Sequence, residues 1–289
     1  MSQVVCAGHV NWDVTLRVEA LPEPDGEAAI VEQSGSTGGS AANVARVLAG
    51  LDVDPIIVGS VGADGHGTLV RRDLVSAGVD CSHLRLVEEL ETSVKYLIVE
   101  ADGEVMTLGN DGANEAVEPA DVDDDVVRSA EHLHLTSQRP ETARHLAEVA
   151  AGAGVPVSFD PGPRLDERDY AHTVELASVL FLNEREAAQA RETGLVDGAG
   201  TVVETRGAGG ATLTRDGERV SGPGFAVEPV DTTGAGDAFA AGFLAARLDG
   251  RDDADALAVG NACGALTART TGSKLAIEWR DVEALLDIR

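Results

Sequence analysis

Short apolar runs alternate with segments of helical spacing along nearly the whole of this chain, and that rhythm leaves few folds open. Residues 4–10, 55–61, 132–136, 155–160, 179–183, 201–205 and 211–214 read as strands. Residues 40–51, 66–77, 141–151, a segment beginning near Glu184, 238–248 and 254–269 read as helices. A strand, a helix and another strand in succession make a crossover, and crossovers join parallel strands. The expectation is an α/β fold in three layers, with a central, mostly parallel sheet and helices on both faces.

Two segments break the rhythm. Residues 17–37 are rich in Glu, Pro and Gly, and residues 92–109 alternate in β fashion through Ser93-Val94-Lys95-Tyr96-Leu97-Ile98-Val99 to a turn at Asp102-Gly103. Together they are expected to form a small sheet outside the main layers. No long linker, low-complexity tract or internal repeat divides the 289 residues, so residues 1–289 read as one α/β domain.

Charge narrows the setting. The chain carries 50 acidic and 22 basic residues, a formal net charge of −28. Only Lys95 and Lys274 are lysines. Such a surface repels itself at low ionic strength and is screened at molar salt, where the Debye length is about 3 Å. We read a halophile's cytoplasmic enzyme. No basic footprint for nucleic acid is present. No apolar run is long enough to span a bilayer, and no leader is expected at the N-terminus. Cys6, Cys81 and Cys263 show no paired spacing and read as buried apolar residues. Aromatics are 3% of the chain, so Val, Leu, Ile and Ala must build the core.

The stretch Asp231-Thr232-Thr233-Gly234-Ala235-Gly236-Asp237-Ala238-Phe239 carries the chemistry. Its small residues leave backbone N–H groups uncovered just before an apolar helix, and such groups bind anions such as phosphate. A carboxylate in that first turn is repelled by phosphates unless it has a task. Asp237 fits a base that takes a proton from an attacking hydroxyl. There is no G-x-x-x-x-G-K-[ST] loop, which excludes the usual P-loop kinases. No G-x-G-x-x-G follows the first strand, which weakens a dehydrogenase reading. His9, His66, His132, His134 and His145 lack metal-ligand spacing with Cys or Glu.

That nonapeptide resembles a signature of the ribokinase-like sugar kinases, the PfkB family. Gly38-Gly39-Ser40-Ala41-Ala42-Asn43-Val44-Ala45 resembles the family's other signature, and the likeness runs from Val4 to about Ile277. The resemblance implies a lid made by about residues 14–37 and 90–112, and an ATP- and Mg²⁺-dependent kinase acting on a ribose- or fructose-like sugar. In that reading Asp237 is the catalytic base, and Gly234, Ala235 and Gly236 form the anion hole. Asn11, Asp13 (placed after the first strand), Gly38, Gly39, Asn43, Asn110 and Arg164 face the sugar. Asn183, Thr205, Gly207, Gly209 and Asn261 face the nucleotide. Glu186, in an N-x-x-E motif, reaches Mg²⁺ through water, while Asp231 and Thr233, with the Thr271-Gly272-Ser273 region, hold K⁺. Relatives pair through the lid, so a homodimer is expected.

Asp160-Pro161-Gly162-Pro163-Arg164 resembles the D-x-N-x-R stretch of some fructokinase and ketodeoxygluconate kinase relatives, but Gly162 replaces the Asn, which speaks against those substrates. Two rivals stay open within the class. A nucleoside kinase needs stacking partners for a base, which are scarce here. A phosphosugar kinase, for ribose 1-phosphate or fructose 1-phosphate, needs cations at the acceptor, for which Arg139 and Arg164 are the candidates. Outside the class, a non-catalytic sugar- or nucleotide-binding regulator is the alternative, and the intact Asp237 argues against it.

Overall fold

In a computed structural model that describes residues 2–22, 25–100, 105–270 and 276–287, strand β1 (Gln3–Ala7) lies inside the central sheet. Its side chains alternate between two cores. Val4 and Cys6 enter one apolar cluster, and Val5 and Ala7 the other. The run predicted over residues 4–10 stops at Ala7. A Cβ at Gly8 would lie 1.9 Å from Thr136 Oγ1, so only glycine lets the chain leave the layer there. The chain then enters a second sheet as β2 (Asn11–Val18) and β3 (Ile30–Gly38).

From there it returns through α1 (Ser40–Gly50), β4 (Asp54–Gly62), α2 (Gly65–Ser76) and β5 (Leu84–Val87), and goes back to the second sheet as β6 (Val94–Val99) and β7 (Val105–Gly109). The rest is strand and helix in turn: α3 (Asp124–Ser129), β8 (His132–Leu135), α4 (Pro140–Ala153), β9 (Val157–Phe159), α5 (Ala171–Leu176), β10 (Val179–Asn183), α6 (Glu184–Glu192) and β11 (Thr201–Thr205). A hairpin of β12 (Ala211–Arg215) and β13 (Glu218–Gly222) precedes α7 (Ala235–Leu248), α8 (Asp253–Ala268) and α9 (Trp279–Leu286).

The central sheet has nine strands in the order β13-β12-β11-β10-β9-β8-β1-β4-β5, parallel except for the hairpin edge. The expected fold is therefore present. The hairpin turns at Asp216-Gly217, where both residues have positive φ, as a two-residue turn that matches strand twist requires. The second sheet has four strands in the order β3-β2-β6-β7. The Asp102-Gly103 turn and the Thr271-Gly272-Ser273 region fall outside the described residues.

Helix α7 is buried on nearly every side from Ala238 to Ala246, which explains its apolar composition. Small residues let α8 approach it: a Cβ at Gly242 would lie 2.6 Å from Cys263 Sγ. Phe181 on β10 meets Phe239 and Phe243 of α7 edge-on, with centroids 6.3 and 5.5 Å apart. Cys6, Cys81 and Cys263 are free and buried. Among the described residues no helix is long and apolar enough to cross a membrane.

Candidate active site

Two glycines fix the first wall of the site. A Cβ at Gly38 would lie 2.0 Å from Asp13 Oδ2, so the Asp13 carboxylate rests directly across the β3 backbone. Gly39 caps α1 at φ 95°, and a Cβ there would lie 2.4 Å from the His9 carbonyl. Asp13 itself stands inside β2, not in a loop after β1. Asn11 Nδ2 donates to Asp13 Oδ1, and Asn11 Oδ1 is buried without a hydrogen-bond partner among the described residues.

Helix α7 supplies the opposite wall. Gly234 caps it in the left-handed region, at φ 75°. Ala235 N–H donates to Thr232 O at 3.2 Å within the same turn. Gly236 and Asp237 come next, where helix geometry leaves N–H groups without intrahelical acceptors. A Cβ at Gly236 would meet nothing within 4 Å, so its backbone faces open space. Asn43 of α1 reaches across and its Nδ2 donates to Asp237 Oδ2 at 2.8 Å.

These walls enclose a cavity of about 310 Å³. Asp13, Gly39, Ser40, Asn43, Thr233, Gly234, Gly236 and Asp237 line it from the main body, and Lys95, Leu97 and Thr107 from the second sheet. Burial pushes the Asp13 carboxyl up to about 6; Lys95 and the Asn11 amide oppose that rise, and Asp231 and Asp237 add to it. Burial likewise raises Asp237, opposed by hydrogen bonds from Asn43 and Ser40 and by the charge of Lys95.

A second chamber of about 170 Å³ shares Ser40 and Gly236 with the first. It lies at the ends of β9, β10 and β11, where Asp160, Asn183, Glu186 and Thr205 meet Phe239. Asn183 and Glu186 cap α6 reciprocally: Glu186 N–H donates to Asn183 Oδ1 at 3.0 Å, and Asn183 N–H to Glu186 Oε2 at 2.9 Å. Burial, then the Glu186 and Asp237 charges, push Asp160 up to about 8. The two chambers meet at the N-terminus of α7, so a donor in one and an acceptor in the other would share that helix end.

Other candidate residues stand apart from these walls. Asn110 Oδ1 accepts from Val94 N–H at 2.9 Å and lines a separate cavity against α2. Arg164 Nη2 donates to Asp111 Oδ1 at 2.9 Å and lies 3.6 Å from Glu115. Arg139 pairs with Glu118 at 3.7 Å. Gly207 and Gly209 form a short turn after Thr205. Asn261 Nδ2 donates to Gly222 O at 3.1 Å, tying α8 to the end of β13. Asp231 Oδ1 accepts from Thr233 N–H at 2.9 Å.

Residues 1–280 match the model of the pfkB family carbohydrate kinases. The chain belongs to the PfkB family. It is 54% identical over 295 residues to an ATP-dependent ribose-1-phosphate kinase of Halopiger xanaduensis, with 100% of this chain and 99% of that protein covered. It is 30% identical over 259 residues to a nucleoside kinase of Methanothermobacter thermautotrophicus, covering 86% of this chain and 84% of the other. The structure of Arabidopsis thaliana ribokinase complexed with ribose and ATP superposes with a TM-score of 0.86 at 26% identity, covering 99% of this chain and 98% of that one. This PfkB protein is thus a kinase that phosphorylates a sugar hydroxyl.

Sequence reasoning gave no site role to Lys95, Leu97, Thr107 or Ser40. The alternation of residues 93–99 already placed Lys95 and Leu97 on one face of a strand. Which face meets the cavity follows only from the pairing of β6 with β2, which sets Lys95 opposite Asp13.

Proposed function

We propose that this chain is a ribose-1-phosphate kinase that transfers the γ-phosphoryl group of ATP to the free 5-hydroxyl of the sugar. The full-length 54% identity to the Halopiger enzyme carries the reading. The walls support it, since among the described residues no aromatic ring lines the cavity beside Asp237, and a nucleoside base would find none of them to stack on.

In this reading Asp13 accepts hydroxyl hydrogens of the sugar, and Asn11, Gly38, Gly39 and Asn43 fix its position. Asp237 removes the proton of the attacking hydroxyl. Backbone N–H groups of the Gly234-Ala235-Gly236 turn and of Asp237 stabilise charge on the transferred phosphoryl. Asn183, Thr205, Gly207, Gly209 and Asn261 flank the nucleotide. The hard carboxylate oxygens of Asp160 and Glu186, crowded in the second chamber with no cation among its described lining residues, fit Mg²⁺, with Glu186 acting through water. When bound, the ion neutralises phosphate charge. Asp231 and Thr233 would contribute to a K⁺ loop. The second sheet serves as a lid that excludes water.

The strongly acidic composition suits a cytoplasm rich in KCl. The test is therefore ADP release in molar KCl with Mg²⁺, using ribose 1-phosphate, ribose, fructose, fructose 1-phosphate and nucleosides. Ribose 1-phosphate should exceed every other acceptor in kcat/KM by about tenfold or more. A nucleoside turned over as well would overturn the assignment.

The lid also bears on assembly. Tyr96 pairs with Leu108, and with Met106 they leave exposed apolar surface on the face away from Asp13. A second copy packing there would make a homodimer. Light scattering in molar KCl should give twice the chain mass, and Leu108→Glu should give the monomer. A monomeric wild type would refute the pairing.

A further inference from the structure

The acceptor cavity is an awkward place for a sugar phosphate. Asp13 and Asp237 both line it, and Asp231 lies near enough to raise the Asp13 pKa. A phosphate monoester brings a further charge of about −1.5 to −2. Among the described lining residues Lys95 is the one cation. It stands directly beside Asp13 in the β2–β6 register, so both side chains project from the same face of the lid. Its stem lies along Gly109, where a Cβ would come 3.4 Å from Lys95 Cγ. The Thr107 hydroxyl lines the same wall, two positions from Gly109. The basic residues predicted for this task, Arg139 and Arg164, are paired with Glu118 and Asp111 away from the cavity.

Resting on the ribose-1-phosphate reading, we infer that Lys95, with the Thr107 hydroxyl, seats the acceptor's own phosphate and sets the preference for a phosphorylated sugar over a free one. The shape of the substrate agrees. A pentose 1-phosphate carries its reactive 5-hydroxyl and its phosphate at opposite ends of the ring. With the hydroxyl at Asp237 and the ring hydroxyls on Asp13, the phosphate faces the lid wall that holds Lys95. The residue type agrees as well. This chain uses Arg for 20 of its 22 basic positions, yet a lysine stands here. An ammonium is a compact charge with three donors on a flexible stem, which can follow a phosphate as a lid closes, whereas a guanidinium demands a planar, bidentate pose.

The test measures kcat/KM of wild type, Lys95→Ala and Lys95→Arg with ribose 1-phosphate and with ribose, at fixed KCl and saturating MgATP. In Lys95→Ala the ratio of ribose 1-phosphate to ribose efficiency should fall about 10- to 100-fold, the scale of one charge-assisted hydrogen bond, mainly through KM. Lys95→Arg should recover part of the ratio. An unchanged ratio in Lys95→Ala overturns the lysine's role while leaving the enzyme's substrate intact. A wild type with no preference for the phosphorylated sugar overturns the substrate reading, and the phosphate seat falls with it. Lys95 is exposed, so an unaltered urea transition in both variants will separate recognition from folding.

Discussion

Asp237→Asn should lower kcat by about 10²–10⁴-fold, the range for removing a positioned general base, while both substrates still bind. The side chain keeps its shape, and its amide oxygen can still accept from Asn43 Nδ2, which lies 2.8 Å from Asp237 Oδ2. The anion-binding turn keeps its backbone, so nucleotide affinity should change little. What is lost is a carboxylate able to take a proton. Calorimetric titration and single-turnover kinetics separate binding from chemistry, and near-normal turnover would remove Asp237 from the mechanism. The pH profile gives a second readout. Burial raises the Asp237 pKa, so the ionised base is lost as pH falls through a value above the ordinary carboxylate range. Asp13, pushed up to about 6, must also ionise to accept two hydroxyl hydrogens. The wild-type acid limb should therefore lie well above pH 4.

Acid should act on stability through His132 and His134. Ser158 Oγ lies 2.8 Å from His132 Nε2 and 2.8 Å from His134 Nδ1, in the middle of the central sheet. Burial lowers their pKa values to about 4 and about 3. An unfolded histidine titrates near 6.5. Between those values the unfolded chain binds more protons, so stability rises with pH. The contribution of the pair is complete above about pH 7 and is lost progressively as pH falls towards 3. At about 1.4 kcal/mol per pKa unit, the total effect is on the order of several kcal/mol. Asp160, raised to about 8, works in the opposite direction, since its protonated form stabilises the folded state as pH falls towards 4. The histidine share is isolated by comparing wild type with a His132→Asn/His134→Asn variant in urea at fixed KCl. Between about pH 6 and 4.5 the variant's stability should fall less steeply by about 2.7 kcal/mol per pH unit, two protons' worth. Resonances assigned to the His132 and His134 imidazoles of the folded protein and titrating near pH 6.5 would contradict it.

Much of the fold could be read from local pattern, because strand and helix periods are local. The β1 boundary could not. Residues 4–10 form one apolar run, yet the chain changes sheets after Ala7, since Gly8 abuts Thr136, which is 128 residues away in sequence. Strand β13 was missed although Asp216-Gly217 is a hairpin signal, because its own residues, Glu218-Arg219-Val220-Ser221-Gly222, carry little apolar content. Helix α7 begins at Ala235, three residues before its apolar run, since its first turn faces the cavity rather than the core.

The sequence by itself determined the doubly covered parallel sheet, the glycine-lined turn ahead of α7 and the place of Asp237 in its first turn. Each of these depends on residues close together along the chain, where propensity and spacing act directly. Only the tertiary structure decided which groups face one another across the cavity. Asn43 meets Asp237 from 194 residues away, and Lys95 stands beside Asp13 because β6 joined β2 in one register and not another. A slip of one residue in that pairing would turn Lys95 outward. The charge of the acceptor site is thus set by strand pairing across the lid, a long-range contact that no local pattern encodes.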